Sequence, residues 1–173
     1  MSVEFRSGSV VYATTDAIVN AANSRLMHAG GLARAIADGA GPALWAECDL
    51  IPEVPIGSAV ATTAGNLAAT WVIHAVGPVW EGGQKGEAEL LAGAYRSSLQ
   101  VAVEVGARSV AFPSISTGIF GYPLELAAPV AITAVREAWA EHADAIDEVA
   151  FYLYTEREYG VFARAGEGGT SSP

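Results

Sequence analysis

The sequence predicts an α/β fold, because short apolar segments of strand type alternate with longer segments of helical pattern. Strand-type segments occur at 17–19, 71–76 and 109–112, and the longest helical pattern covers 89–105. The chain has 173 residues, of which 51% are hydrophobic and 16% charged, so it can bury the core of one globular domain. Because no internal repeat divides it, we expect a single domain.

The first half of the chain contains strands separated by proline and glycine. Asp16 precedes the central strand, and we expect it to cap or position the start of that strand. Pro42 suits the first turn of a short helix, whereas the prolines within 51–56 exclude regular structure there. The predicted elements are strand 3–5, the apolar segment 10–12, strand 17–19, helix 31–40, a short helix at 43–46, and strands 57–63 and 71–76.

The second half begins with a glycine-rich loop at 80–87, which is either a mobile lid or a plain connection. Pro129 falls within the last predicted helix and should kink it or delay its start, because proline removes a helical hydrogen bond. The predicted elements of this half are helix 89–105, strand 109–112, helix 123–139 and strand 147–154. The final segment, GEGGTSSP, has the composition of a disordered tail.

The charge and cysteine content exclude several classes of protein. The net charge is −10, and the few Lys and Arg residues do not cluster, which argues against general nucleic-acid binding. The single cysteine, Cys48, cannot form an internal disulfide and reads as a buried small side chain. Three scattered histidines and one cysteine give no metal-ligand spacing. With no signal-peptide pattern and no membrane span, we expect a cytoplasmic protein without a metal or cofactor.

The segment 17–36, AIVNAANSRLMHAGGLARAI, joins a strand, a polar strand end, a glycine loop and a helix. This layout is typical of a ligand site at the carboxyl end of a strand in an α/β protein. Asn20 and Asn23 can bind ribose hydroxyls, since an amide both donates and accepts, or they can stabilise the loop through backbone bonds. Both readings stay open on these residues alone.

Two histidines have alternative roles. His74 lies inside the apolar segment WVIHAV, where a structural, hydrogen-bonded histidine is the more common case than a catalytic one. His28 precedes the glycines of the ligand loop and either positions that loop or faces a bound ribose, and we favour positioning.

Three segments together resemble the macrodomain family. DAIVNAANSRL followed by HAGGLARAI is similar to the family's central strand and glycine loop, WVIHAVGP to a third family segment, and AFPSISTGIFGYP to its second phosphate loop. The resemblance implies a three-layer α/β/α sandwich with a mixed central sheet, a domain over 1–160 and an extension over 161–173 with a disordered end. It implies ADP-ribose or an ADP-ribosylated protein as the partner, and no membrane.

The resemblance also assigns the site. Asn23, Gly31 and Phe120 are the implied catalytic set. Tyr154 either stacks on adenine or has a packing role. The implied ligand-binding residues are Ser9, Val10, Asn20, Ala21, His28, Gly30, Leu32, Ser114, Ser116, Thr117, Gly118, Ile119 and Tyr154.

Three departures from the family pattern bear on function. Ser9 stands where macrodomains usually carry an Asp that accepts from the adenine amino group, and Ala33 where the MacroD-type branch has an Asp after the glycines. Ala29 replaces the first glycine of the loop, which is similar to the HGGGVA-type loop of viral and archaeal members. We therefore expect either a slow hydrolase of mono-ADP-ribosylated protein or O-acetyl-ADP-ribose, or a binding module without chemistry.

Overall fold

The computed structural model describes residues 1–168. They form one six-stranded sheet of order β1-β6-β5-β2-β4-β3, in which every pairing is parallel except the antiparallel pairing of β3 with β4. The strands are β1 Glu4–Ser7, β2 Ala17–Ala22, β3 Ala59–Thr63, β4 Trp71–Val76, β5 Ser109–Phe112 and β6 Glu148–Leu153. The helices are α1 Gly31–Ala40, α2 Pro42–Asp49, α3 Glu87–Glu104, α4 Leu124–Glu141 and α5 Glu156–Glu167.

Helices cover both faces of this sheet, as predicted. The side chains of β2 alternate between the faces: Val19 belongs to the core shared with α3, α4 and α5, and Ile18 to the core shared with α1 and α2. Ile73 and Val72 of β4 divide in the same way. The result is the expected three-layer α/β/α sandwich with a mixed sheet, in which parallel strands are apolar on both sides.

The central strand β2 is fixed at its start by Asp16. One carboxylate oxygen of Asp16 accepts from the backbone N–H of Arg108 at 2.8 Å and of Ser109 at 3.2 Å, at the start of β5. Asp16 N–H donates to the Ser109 hydroxyl at 2.8 Å. The expected positioning role of Asp16 is therefore confirmed, and it aligns the two strands that carry the ligand loops.

The carboxyl-terminal part departs from the expected domain boundary. Helix α5 crosses residue 160 and buries Val161 and Phe162 in the core, so the compact domain continues through this helix. Its start is capped by Thr155, whose hydroxyl accepts from the N–H of Glu158. The predicted disordered end, residues 169–173, lies outside the described residues.

Two further predictions are resolved by the helices. Pro129 lies inside α4, which begins at Leu124, so the proline does not delay the start of the helix. Residues 10–12 form a short 3₁₀ turn, Val10–Tyr12, at the end of the sheet. Across residues 1–168, none of the helices has the length and apolar character that crossing a membrane requires.

Candidate functional site: a cleft between two loops

A cleft of about 1180 Å³ lies over the carboxyl ends of β2 and β5. Two loops form its walls. We call residues 23–30, between β2 and α1, the first loop, and residues 113–123, between β5 and α4, the second loop. Because β2 and β5 are neighbours in the parallel sheet, both loops leave the same edge, which is where ligands bind in α/β folds.

The first loop is organised by the side chain of Asn23. Its amide oxygen accepts from the N–H of Arg25 at 3.2 Å and of Met27 at 3.0 Å, and its amide nitrogen donates to the carbonyl of Met27 at 2.9 Å. Asn23 also lines the cleft, where its second amide hydrogen remains available. The structure thus gives Asn23 the loop-stabilising role and keeps it in reach of a ligand.

The first loop ends at the amino terminus of α1, which opens towards the cleft. Gly30 is the N-cap and contributes no side-chain bond, and Gly31 has a φ of +56°, which favours glycine. The first-turn N–H groups of α1 therefore lack a side-chain cap while Gly31, Leu32 and Ala33 line the cleft. Such a helix terminus stabilises an anion.

The second loop presents a run of backbone N–H groups. Those of residues 116–119 have no hydrogen-bond partner within residues 1–168, whereas Gly121 N–H and Tyr122 N–H close the loop onto the carbonyls of Gly118 and Ser116. Ser116 has a φ of +67°, which is unusual for a residue with a side chain. Successive N–H groups in such a turn form an anion-binding concavity.

The second loop is packed tightly against the end of β4. Ser116 is buried, and its hydroxyl makes no hydrogen bond within the described chain. A Cβ atom at Gly77 would lie 2.2 Å from this hydroxyl and 2.5 Å from a methyl carbon of Ile115. Gly77 is therefore required by the close approach of the second loop.

Helix α3 holds the start of the second loop through Tyr95. This fully buried side chain donates from its hydroxyl to the carbonyl of Pro113 at 3.2 Å and accepts from the N–H of Ile115 at 2.9 Å. Burial raises the pKa of the Tyr95 phenol, so its hydroxyl keeps the proton that it donates.

The other end of the cleft is aromatic. Tyr12 and Tyr154 are exposed at its rim, and Tyr152 lines the wall. Ser9 lies beside them, because the N–H of the preceding Gly8 bonds to the carbonyl of Leu153. The Ser9 hydroxyl accepts from Val11 N–H at 3.3 Å. This end offers flat apolar faces that suit a base or sugar.

Glu158, which also lies at the aromatic end, is the only charged side chain lining the cleft in the described part of the chain. Its carboxylate accepts from Tyr154 N–H at 2.9 Å. An anion in this cleft would therefore be held by backbone N–H groups and helix dipole. Within residues 1–168 there is also no group of three or more His, Cys, Asp or Glu side chains that could hold a metal ion.

Two predicted ligand-binding residues, Asn20 and His28, do not line the cleft. Asn20 is fully buried, and its amide nitrogen lies 3.1 Å from Nδ1 of His74. Its role is therefore a structural one within the core. The His28 side chain is buried edge-to-face against Trp45, with ring centroids 4.7 Å apart, and belongs to the part of the first loop that does not line the cleft. This placement matches the positioning role that we favoured for His28.

His74 and Cys48 belong to the same buried network. Nε2 of His74 lies 2.9 Å from the Thr62 hydroxyl and 3.8 Å from the sulfur of Cys48. Burial, and then the neighbouring His28, lower the pKa of His74 to about 3, and burial raises the pKa of Cys48 to about 11. A neutral imidazole and a protonated thiol in the core are structural, as the sequence predicted.

The cleft brings together most of the predicted site. The predicted residues that line it are Ser9, Val10, Ala21, Asn23, Gly30, Gly31, Leu32, Ser114, Ser116, Thr117, Gly118, Ile119, Phe120 and Tyr154. The sequence analysis missed Tyr12, Tyr152 and Glu158 at the aromatic end and Asn66 and Leu67 from the β3–β4 connection. The alternation of β6 could have indicated Tyr152, because Tyr154 lies two residues further on the same face.

This fold and cleft define a class: a single α/β/α domain with a cleft between two loops that carry backbone N–H groups without partners in the described chain. The Macro domain family model matches residues 19–131. A macro domain-containing protein of Chlorobaculum tepidum is 51% identical over 152 residues, which is 88% of each chain. The chain belongs to the macrodomain family.

A relative with a named activity and a solved structure add to this result. A protein of Citrobacter koseri named O-acetyl-ADP-ribose deacetylase is 45% identical over 166 residues, covering 94% of this chain and 93% of its own. The Trypanosoma brucei macrodomain in complex with ADP-ribose superimposes with a TM-score of 0.88 at 37% identity, covering 94% of this chain and 68% of its own.

Proposed function

We propose that the protein binds ADP-ribose in the cleft between the two loops. The observation that carries the proposal is the joint presence of two facing sets of free N–H groups and an aromatic end in one cleft of about 1180 Å³. The diphosphate fits the N–H groups of the second loop and of α1, and the adenine fits the end lined by Tyr154. The Trypanosoma brucei macrodomain, a structural neighbour in complex with ADP-ribose, supports the choice of this ligand.

We further propose slow hydrolysis of O-acetyl-ADP-ribose or of mono-ADP-ribosylated protein. Relatives named O-acetyl-ADP-ribose deacetylase support this reaction class. Position 33 is an alanine, and Glu158 lies at the aromatic end, so no cleft-lining side chain near Asn23 and Phe120 in the described chain is placed to act as a base. Catalysis would then rest on positioning and on N–H stabilisation of charge, with the attacking water oriented by the first loop and the substrate phosphate.

The alternative is a binding module without turnover. It is favoured by Ala33 and by the hydrogen bonds that already engage the Asn23 amide within the first loop. The proposed setting for either function is the cytoplasm, with which the single buried thiol of Cys48 is compatible.

The first test is calorimetric titration with ADP-ribose, with AMP and ribose 5-phosphate as controls. Micromolar binding, about −8 kcal/mol, is expected for ADP-ribose and weaker binding for each fragment. No binding of ADP-ribose would reject the proposal. Tighter binding of ADP-ribose than of the analogue in which an oxo group replaces the adenine amino group would show that Ser9 serves in place of the usual carboxylate.

Turnover separates the two functions. We expect the protein to release acetate slowly from O-acetyl-ADP-ribose, and Asn23→Ala to reduce this rate and the affinity because it removes the three bonds that shape the first loop. Ser24→Ala, a neighbouring change that removes a hydroxyl with no such bonds, is the matched control. Binding without acetate release would establish the binding module, and an unchanged rate in Asn23→Ala would exclude the mechanism.

A further inference from the structure

We propose that Glu87, the first residue of α3, is a positioning residue for the second loop. Its carboxylate folds residues 81–85 into a fixed segment, that segment supports Trp80, and Trp80 holds the second loop against the diphosphate and the distal ribose. The inference rests on the proposed function for the identity of the ligand, and its structural part is testable without any ligand.

The first step is the environment of the carboxylate. Glu87 is only 2% exposed, and it accepts from the N–H groups of Glu81 at 3.0 Å, Gly83 at 2.8 Å and Lys85 at 2.6 Å. The Lys85 ammonium is directed to Glu81 instead, at 3.3 Å. Glu87 is therefore a buried anion that backbone N–H groups neutralise, and the segment that supplies them is closed around it.

The balance of forces shows how firmly the charge is held. Burial disfavours the charged carboxylate, but the bonds from Gly83, Glu81 and Lys85 outweigh it and lower the pKa of Glu87 to about 2. The Glu87 carboxylate is therefore ionised at neutral pH. The three hydrogen bonds to one carboxylate favour a plain connection over a mobile lid for the loop at 80–87.

The second step is the contact between this segment and Trp80. Gly83 has a φ of +87°, and a Cβ atom there would lie 2.9 Å from the Trp80 ring. The backbone of Gly83 consequently lies close against the indole. The Glu87 bond to Gly83 N–H therefore fixes the surface on which the indole rests.

The third step joins Trp80 to the second loop. Trp80 N–H donates to the carbonyl of Phe120 at 2.8 Å, and its ring packs on Tyr122 with centroids 4.6 Å apart. Tyr122 N–H in turn bonds to the carbonyl of Ser116 at 2.9 Å, next to the free N–H groups that line the cleft. Burial, and then the charge of Glu87, raise the pKa of Tyr122, so the carboxylate is close enough to influence this ring.

A helix-capping role alone does not account for the arrangement. Glu89 is also acidic and in the first turn of α3, but its side chain is 80% exposed and pairs with Arg96. Glu89 interacts favourably with the helix dipole, and its side-chain partner is Arg96 and not the 81–85 segment. Glu89→Gln is therefore a matched control that removes the same charge from the same helix terminus.

The ligand-free test is hydrogen exchange of the second loop at neutral pH. In Glu87→Gln the amide NH₂ group faces backbone N–H donors, so we expect faster exchange at Gly121 and Tyr122, whereas Glu89→Gln should match the unmodified protein. Trp80→Ala should reproduce the Glu87→Gln result without altering the carboxylate. Unchanged exchange at Gly121 and Tyr122 in Glu87→Gln overturns the proposal, whether or not ADP-ribose binds.

The ligand test uses the part of the molecule that the second loop would contact. We expect Glu87→Gln to weaken ADP-ribose binding about tenfold and AMP binding less than about twofold, because only ADP-ribose reaches the distal phosphate and ribose. Equal weakening of both ligands, or none, would contradict a positioning role. Failure of the unmodified protein to bind ADP-ribose would instead reject the proposed function, and the exchange result would stand by itself.

Discussion

The first and second loops form opposite walls of one cleft, yet they are held in different ways. The first loop is stabilised from within, by the amide of Asn23 and the burial of His28 behind it. The second loop is stabilised from outside, by Tyr95 on α3 at its start and by Trp80 at its end. The comparison shows that a loop of the cleft can be held by residues that lie far from it in sequence and do not line the cleft.

The largest expected effect is the pH dependence of the unfolding free energy that His74 causes on the side of the first loop. His74, beneath the first loop, accepts at Nδ1 from the Asn20 amide, so a proton there would face a donor. Its pKa is about 3 in the folded protein against an ordinary value of 6.5, so the unfolded chain takes up a proton that the folded protein does not. The free energy of unfolding should therefore fall between pH 6.5 and 3, by on the order of 4 kcal/mol over the full window.

Urea unfolding from pH 7 to pH 4 measures this loss, and His74→Gln should flatten the dependence. The stability that the Glu87 carboxylate contributes is lost in a lower pH range. Its pKa is lowered from 4.5 to about 2, so its stabilisation is complete above pH 4.5 and is lost only as pH falls towards 2. If stability were constant from pH 6.5 to 5, the interpretation of His74 as a buried neutral group would be wrong.

A steric substitution at Gly77 should have the next largest effect, and it acts on the second loop. The added methyl carbon of Gly77→Ala would collide with Ser116 and Ile115, so the second loop must shift. We expect a loss of about 2 kcal/mol in unfolding free energy, typical of overpacking, together with weaker ADP-ribose binding. Gly118→Ala, where a Cβ meets nothing within 4 Å, is the control for stability in urea unfolding. Equal stability of the two variants would show that the second loop adapts freely.

The smallest of these effects is expected from Tyr95→Phe. The variant keeps the aromatic packing of α3 but leaves the carbonyl of Pro113 and the N–H of Ile115 without their partner. A loss of about 1 kcal/mol in unfolding free energy follows from the missing buried bonds. Tyr159→Phe, at a partly exposed position, should leave stability unchanged. A neutral Tyr95→Phe would mean that Trp80 alone positions the second loop.

The same contrast explains which features the sequence predicted. The elements of the sheet and the first loop follow from local patterns, since Asn23 bonds within four residues of itself and Gly31 begins the helix that it precedes. Asn20 and His28 were expected among the ligand-binding residues, but neither lines the cleft, and each takes the structural role that the sequence also allowed. Asn20 is buried by its contact with His74 on β4, and His28 by its contact with a tryptophan of α2, and the sequence does not state these contacts between distant residues.

The support of the second loop was not predicted, because it depends on contacts between distant residues. Tyr95 and Ile115 are 20 residues apart, and Glu87 acts on the loop only through the folded 81–85 segment and Trp80. In the sequence, Glu87 reads as the last residue of the loop at 80–87, which is either a lid or a plain connection, and the predicted helix begins only at residue 89. Helix α5 continues past the expected boundary at 160, and its buried side, Val161 and Phe162, becomes evident only against the core.

The pairing of β2 with β5 has a consequence for how the protein folds. These neighbours carry the two walls of the cleft, and Ala17 pairs with Val110. In the chain, however, α1, α2, β3, β4 and α3 all lie between the two strands. A nascent chain can therefore form β2 and the first loop early, but it has no cleft until β5 has been synthesised and inserted beside β2. Because such distant parallel pairing requires closure of a long segment, binding competence should appear late in refolding, after most helical structure has formed.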